Sequence, residues 1–171
     1  MSPIIHAEIG WLTAQPLMSR RDRIIVTLLS LFPDLDGLGI LFGDDLYYAF
    51  HHRLCHGWPA ALLVATVAGL LTRSGRATAL TVAAFHLHVL ADLVGSGPGW
   101  PVFYLWPLSE AGWLPSWQWE LASWQNSVIG LAVTLTALGC ALWLGRTPVE
   151  LFSRRWDARV VQTVRRRFGR A

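Results

Sequence analysis

At 171 residues the chain has the length of one domain; it is 53% apolar, only 15% charged, and carries a formal net charge of +3. Soluble domains usually carry charge on about a quarter of their residues, so this balance excludes an ordinary water-soluble domain and places the chain among membrane proteins. Every basic side chain is arginine, and the two cysteines, Cys55 and Cys140, have neither metal-binding nor redox spacing.

In chain order, Ile4 to Met18 predicts a short apolar helix started by Ser2-Pro3. This stretch lacks the basic n-region of a signal peptide. Ser19 to Arg23 reads as a polar turn, and Ile24 to Phe32 as an apolar run stopped by Pro33. Pro33-Asp34-Leu35-Asp36-Gly37 then reads as a turn bearing two acids, with an apolar bridge to Gly43-Asp44-Asp45. His51-His52-Arg53-Leu54-Cys55-His56 precedes a helix over Ala60 to Leu71. Ala77 to Val94 has spanning length and is interrupted only by His86, His88 and Asp92. Gly95 to Asn126 is a Gly/Pro/Trp-rich loop, and Ser127 to Leu144 is the cleanest transmembrane candidate. Beyond Arg146 the chain turns basic and predicts an amphipathic surface helix. Two units result: residues 1–150, embedded in the membrane, and 151–171, a basic tail.

Ionisable groups within segments this apolar mark function by default. His88 and Asp92, four residues apart, share one helix face; His86 points about 160° away from His88 on a wheel of 3.6 residues per turn. When the apolar segments alternate in direction, Arg20, Arg21, Arg23, Arg73, Arg76 and Arg146 fall on one side with the basic tail. The opposite side receives His6, Asp34, Asp36, His51, His52, His56, His88 and Asp92, together with a belt of tryptophans and one arginine, Arg53. The positive-inside rule makes the arginine side cytoplasmic and rests the tail on anionic headgroups. The histidines and aspartates offer more ligands than one zinc ion needs; manganese and iron also suit them, and the surplus accommodates two ions. Arg53 is a candidate for holding a phosphate or carboxylate, with a snorkelling interfacial arginine as the alternative.

Taken in order, the early His6, Phe32-Pro33-Asp34-Leu35-Asp36-Gly37, His51 to His56, His86 to Asp92, Trp100-Pro101 and Leu105 to Ser109 resemble the membrane-bound metal-dependent hydrolases, also described as LexA-binding inner-membrane hydrolases. The likeness covers roughly residues 3 to 150. That family is distantly similar to zinc-dependent phospholipase C, a helical enzyme with clustered metals. The resemblance implies His6, Asp34, His52, His56, His88 and Asp92 as ligands, with Asp36 and His51 as further candidates. Family members often carry His-Arg-Gly-x-Thr-His-Ser; here the second histidine follows the arginine one residue sooner, which leaves His51 and His52 as alternatives for one ligand.

The resulting expectation is an all-α membrane bundle of about four or five embedded helices, with a metal cluster toward the extracytoplasmic face of a bacterial-type inner membrane. Its expected activity is metal-dependent hydrolysis of a phosphoester in a lipid or lipid-linked substrate. In that scheme Asp34 or Asp36 orients water or takes its proton, and Arg53 steadies the anion. Direct nucleic-acid binding is not expected. The alternatives are a non-enzymatic module with a structural metal and a cytoplasmic partner, and a haem-ligating redox protein.

Overall fold

The computed structural model describes residues 1–169, and its architecture is all-α. The helices are α1 (Pro3–Thr13), α2 (Arg20–Ser30), α3 (Asp44–Phe50), α4 (Trp58–Thr72), α5 (Gly75–Gly95), α6 (Trp124–Trp143) and α7 (Arg154–Phe168). Two 3-10 segments, Pro33–Phe42 and Pro148–Leu151, complete the elements. Among the described residues, the only β pairing is an isolated antiparallel bridge between Val102 and Trp113.

The organising element is α5, which packs against α1, α2 and α4. Its buried positions Ala77, Thr81, Ala84, Phe85, His88, Val89 and Asp92 recur at helical spacing and form one stripe. The stripe begins with small apolar residues and ends with an imidazole and a carboxylate, so the element that builds the core also carries the site. Where α1 crosses α2, Gly10 allows the helices to touch: a β-carbon there would lie 1.9 Å from Ser30 Oγ. α6 packs on α1 and supports α7.

Two helices, α5 and α6, are long and apolar enough to cross a membrane. α2 and the 3-10 segment after it form a bent pair, turned by 52°, that qualifies together as a third span. α4 is apolar but shorter, and its Leu62, Leu63 and Leu70 point outward, as do Leu131 and Leu135 of α6. Apolar surface on this scale suits contact with lipid.

Several boundaries differ from the sequence expectation for local reasons. Residues 20–23 are helix rather than turn, because the Ser19 hydroxyl accepts the Asp22 amide at 3.3 Å and caps α2 ahead of its apolar run. α1 ends at Thr13, short of Met18. The stretch after Pro33, expected as a turn and bridge, winds into 3-10 helix as far as Phe42, and α3 follows over Asp44–Phe50, where the sequence pattern predicts no helix.

Arg20, Arg21, Arg23 and Arg146 gather at the end of the bundle remote from His88 and Asp92. Arg23 reaches Glu150 through Nε to Oε1 at 2.7 Å and through a terminal nitrogen to Oε2 at 2.5 Å, with both residues buried. The Trp11 indole donates to the same carboxylate at 2.9 Å, and Arg20 donates to the Glu150 carbonyl. Arg146 donates to Gln15, and Arg21 to the Leu71 carbonyl at the end of α4. This clasp ties α1 and α2 to the segment after α6. Removing one partner of a buried pair strands the other charge, so Glu150→Ala is expected to destabilise the fold by about 3–5 kcal/mol. Denaturant unfolding of purified protein measures this; a loss under about 1 kcal/mol would show that the clasp is not structural.

Candidate metal centre

Four segments converge at the other end of the bundle: α1 brings His6, the 3-10 segment Asp34 and Asp36, the loop before α4 His51 to His56, and α5 His88 and Asp92. The meeting point is Asp92, only 3% exposed. Its Oδ1 lies 3.1 Å from His6 Nε2 and accepts the Ser96 hydroxyl at 3.0 Å and the Met1 amino group at 2.5 Å. Its Oδ2 lies 3.0 Å from His88 Nε2 and 3.4 Å from His56 Nε2. Asp34 Oδ1 stands 3.5 Å from His88 Nε2.

These groups converge without satisfying one another. His88 has no hydrogen-bond partner on either ring nitrogen, despite its short approaches to carboxylates. His6 Nδ1, His52 Nδ1 and Asp34 Oδ2 are also buried and unpartnered. Native proteins pair nearly all buried polar atoms, so a knot of orphans calls for a missing partner. Ligands roughly 2.1 Å from a tetrahedral ion stand roughly 3.4 Å apart, which is the spacing around Asp92. The donor atoms form two groups able to hold a metal ion: His6, Asp34, His88 and Asp92, and His52, His56 and Asp92. Asp92 belongs to both.

The remaining candidates lie around these groups. Asp36 is committed on both oxygens: Oδ1 to His51 Nδ1 at 2.8 Å, and Oδ2 to His56 Nδ1 at 3.0 Å and the Cys55 amide at 3.1 Å. It therefore orients the His56 ring and leaves Nε2 facing Asp92, the usual part of a carboxylate behind a ligating histidine. His51 lies outside both metal-competent groups, stacked on Tyr47 with ring centroids 4.8 Å apart. His52 takes the position inside, on a left-handed backbone with φ of 64°. Arg53 lines a neighbouring cavity. His86 faces elsewhere: Nδ1 donates to the Val82 carbonyl and Nε2 accepts the Tyr104 hydroxyl, each at 2.8 Å.

Electrostatics in the histidine loop favour ligation at His52 and set a proton against it at His56. Burial holds His52 down at about 3, with the neighbouring His56 adding to the effect, so its lone pairs stay free at neutral pH. Burial also acts to lower His56, but hydrogen bonds to Asp36 and Asp92 outweigh it and raise this group to about 9. A cation seated beside Asp92 would compete with that proton. Burial, reinforced by Asp36, pushes the Cys55 thiol up to about 11, which leaves it protonated and a poor ligand.

A cavity of about 350 Å³ opens onto the cluster, lined by Asp34, Tyr47, His51, Asp92, Ser96 and Trp100. Tyr47 escaped the reading of the sequence because no spacing links it to the motifs, whereas Trp100 falls on this side with the tryptophan belt and the Trp100-Pro101 motif. Ser96 was legible, one helical turn beyond Asp92. The 96–123 loop closes over this end: the Phe103 amide donates to the His52 carbonyl at 3.0 Å, and Gln118 donates to the Leu93 carbonyl at 3.0 Å. Asn126 donates to the Gly95 carbonyl at 2.7 Å, securing the end of α5.

Fold and site together define a class: a helical membrane protein that carries a buried His/Asp cluster, able to hold metal, at one end of its bundle. Within that class, the YdjM inner membrane protein family matches residues 1–160, and the chain belongs to this family. No curated protein and no solved structure matches the chain.

Because Asp92 serves both groups, Asp92→Asn is expected to strip metal from the whole centre, whereas His52→Ala removes only part of it. His86→Ala is expected to keep the full complement. Elemental analysis of the purified variants checks this, and full metal content in Asp92→Asn would refute the shared role.

Proposed function

We propose that the protein is a metal-dependent hydrolase acting on a phosphoester of a lipid or lipid-linked substrate. The observation that carries this reading is Asp92, whose single carboxylate is shared by two histidine-bearing groups with unpartnered donor atoms. Zinc is the first candidate, with manganese or iron as alternatives, held by His6, Asp34, His88 and Asp92 and by His52, His56 and Asp92. Two divalent ions there would supply Lewis acidity and lower the pKa of water toward neutrality.

The chain's own residues supply the rest. Asp34 lines the open cavity, and its Oδ2 is buried without a partner beside the cluster, so this residue is a candidate to take a proton from an attacking water. Asp36, with both oxygens engaged, keeps His56 in register. Tyr47 and Trp100 wall the cavity and limit water. A purely structural metal site is closed, whereas an open face on the cluster favours chemistry. His6 and His88 stack with ring centroids 3.7 Å apart, which leaves no gap between them for the haem of a redox protein.

Location supports a lipid substrate. The 3-10 segment and α3 flank the cavity and expose Leu38, Leu41, Phe42, Leu46 and Tyr48, while Trp117 and Trp124 stand exposed in and beside the loop at the same end. Such side chains suit the headgroup region, where lipids are the first molecules met. The arginine-rich opposite end suits the cytoplasmic leaflet. There Arg154, Arg155, Arg159, Arg166 and Arg167 of α7 are exposed to anionic headgroups.

Two experiments test the reading. Purified protein screened against lipid phosphoesters is expected to lose hydrolysis on chelation and regain it with zinc, and Asp34→Asn is expected to lower kcat by about 10²–10⁴, with metal content measured on the same sample to separate loss of the base from loss of a ligand. Wild-type protein that is folded and free of metal would sink the proposal. For sidedness, Ser116→Cys with both native cysteines replaced by alanine is expected to react with a membrane-impermeant maleimide on intact spheroplasts. Labelling only after lysis would invert the topology.

A further inference from the structure

A second cavity, of about 700 Å³, adjoins the first and is lined by Tyr48, His51, Arg53, Gly99, Trp100 and Phe103. His51 and Trp100 line both cavities, so they form the partition between the metal-competent cluster and Arg53. Tyr48 stacks on Trp100 with ring centroids 5.4 Å apart, stiffening this aromatic wall.

Arg53 is held in place but only partly satisfied. Its guanidinium lies 4.3 Å over the Phe103 ring centre, fixing the plane of the group. One terminal nitrogen is 3.2 Å from Glu110 Oε2, while Nε is buried with no partner. The Glu110 side chain is 68% exposed, so this ion pair is weak and readily exchanged. An oriented arginine with an unused donor, walled by aromatic rings and covered by a replaceable carboxylate, is a receptor for an oxyanion.

We infer that the Arg53 cavity is an anion subsite of the same active site, with Glu110 pairing with Arg53 when no substrate is bound. The substrate is then a phosphoester with a further phosphate-type anionic group beyond the bond that is cleaved. Arg53 positions that second group across the His51–Trp100 partition and does not act on the reacting phosphorus. This inference rests on the hydrolase reading for its account of the substrate; the anion subsite itself stands on the geometry of Arg53.

The test measures binding of inorganic phosphate, and separately of dihexanoyl phosphatidate, to full-length protein in phosphatidylcholine nanodiscs by titration calorimetry, before and after chelation. An Arg53-dependent component is expected to survive chelation, to weaken at least tenfold in Arg53→Gln, and to be largely kept in Arg53→Lys. Glu110→Gln, which removes the resident carboxylate from an exposed site, is expected to tighten binding several-fold; loss of a merely structural contact would not. Tighter binding of phosphatidate than of phosphate identifies a lipid headgroup as the source, and the reverse identifies a soluble phosphate ester. Unchanged binding in Arg53→Gln, or binding unaltered in Glu110→Gln, overturns the inference. Metal content measured on the same samples separates the two proposals: metal-free protein with intact Arg53-dependent binding fails the hydrolase reading alone.

Discussion

The structure depends on one buried carboxylate. Asp92 sits in a helix long and apolar enough to cross a bilayer, where a lone charge is among the costliest features a chain can carry. Its surroundings answer that cost: the Met1 amino group and His6 come from the N-terminal segment, His56 from the histidine loop, His88 from α5 and Ser96 from the C-terminal cap of α5. The compensation is nonetheless incomplete, because both nitrogens of His88 remain without hydrogen bonds. A cluster built only to neutralise Asp92 would have closed those valences. Leaving them directed inward favours a cation as the final partner.

Much of this was legible in the sequence, for definite reasons. α5 and α6 announced themselves as long apolar runs, and His88 and Asp92 as polar residues at helical spacing within one of them. The choice between Asp34 and Asp36 was not legible. In a 3-10 helix, with three residues per turn, positions two apart diverge by roughly 120°, so Asp34 reaches the cavity while Asp36 turns back to His51 and His56. The choice between His51 and His52 was likewise hidden, since it turns on the positive φ at His52, a conformation a histidine seldom adopts. α3 escaped notice because its acidic start, Asp44-Asp45, looks the same as an exposed turn.

The two ends of the bundle solve opposite problems with similar means. At one end Arg23 and Glu150 satisfy each other almost completely, with Trp11 and the Leu17 and Met18 carbonyls filling the remaining positions. That end is finished and rigid. At the other end aspartates and histidines surround an open cavity and retain unused donors. Polar contacts are thus saturated where they hold the helices together and unsaturated beside the open cavity.

The Arg23–Glu150 clasp also bears on how the protein is made. The two residues are 127 positions apart, so at roughly 5–20 residues per second Arg23 waits on the order of ten seconds for its counterion to be synthesised. During that interval α1, α2 and α5 are already available to one another, and the His/Asp end can assemble while the arginine end is still open. Order of emergence from the ribosome thus lets the His/Asp end form first and the locking end last. A chain arrested before residue 150 would carry its His/Asp cluster but leave the buried Arg23 without its carboxylate.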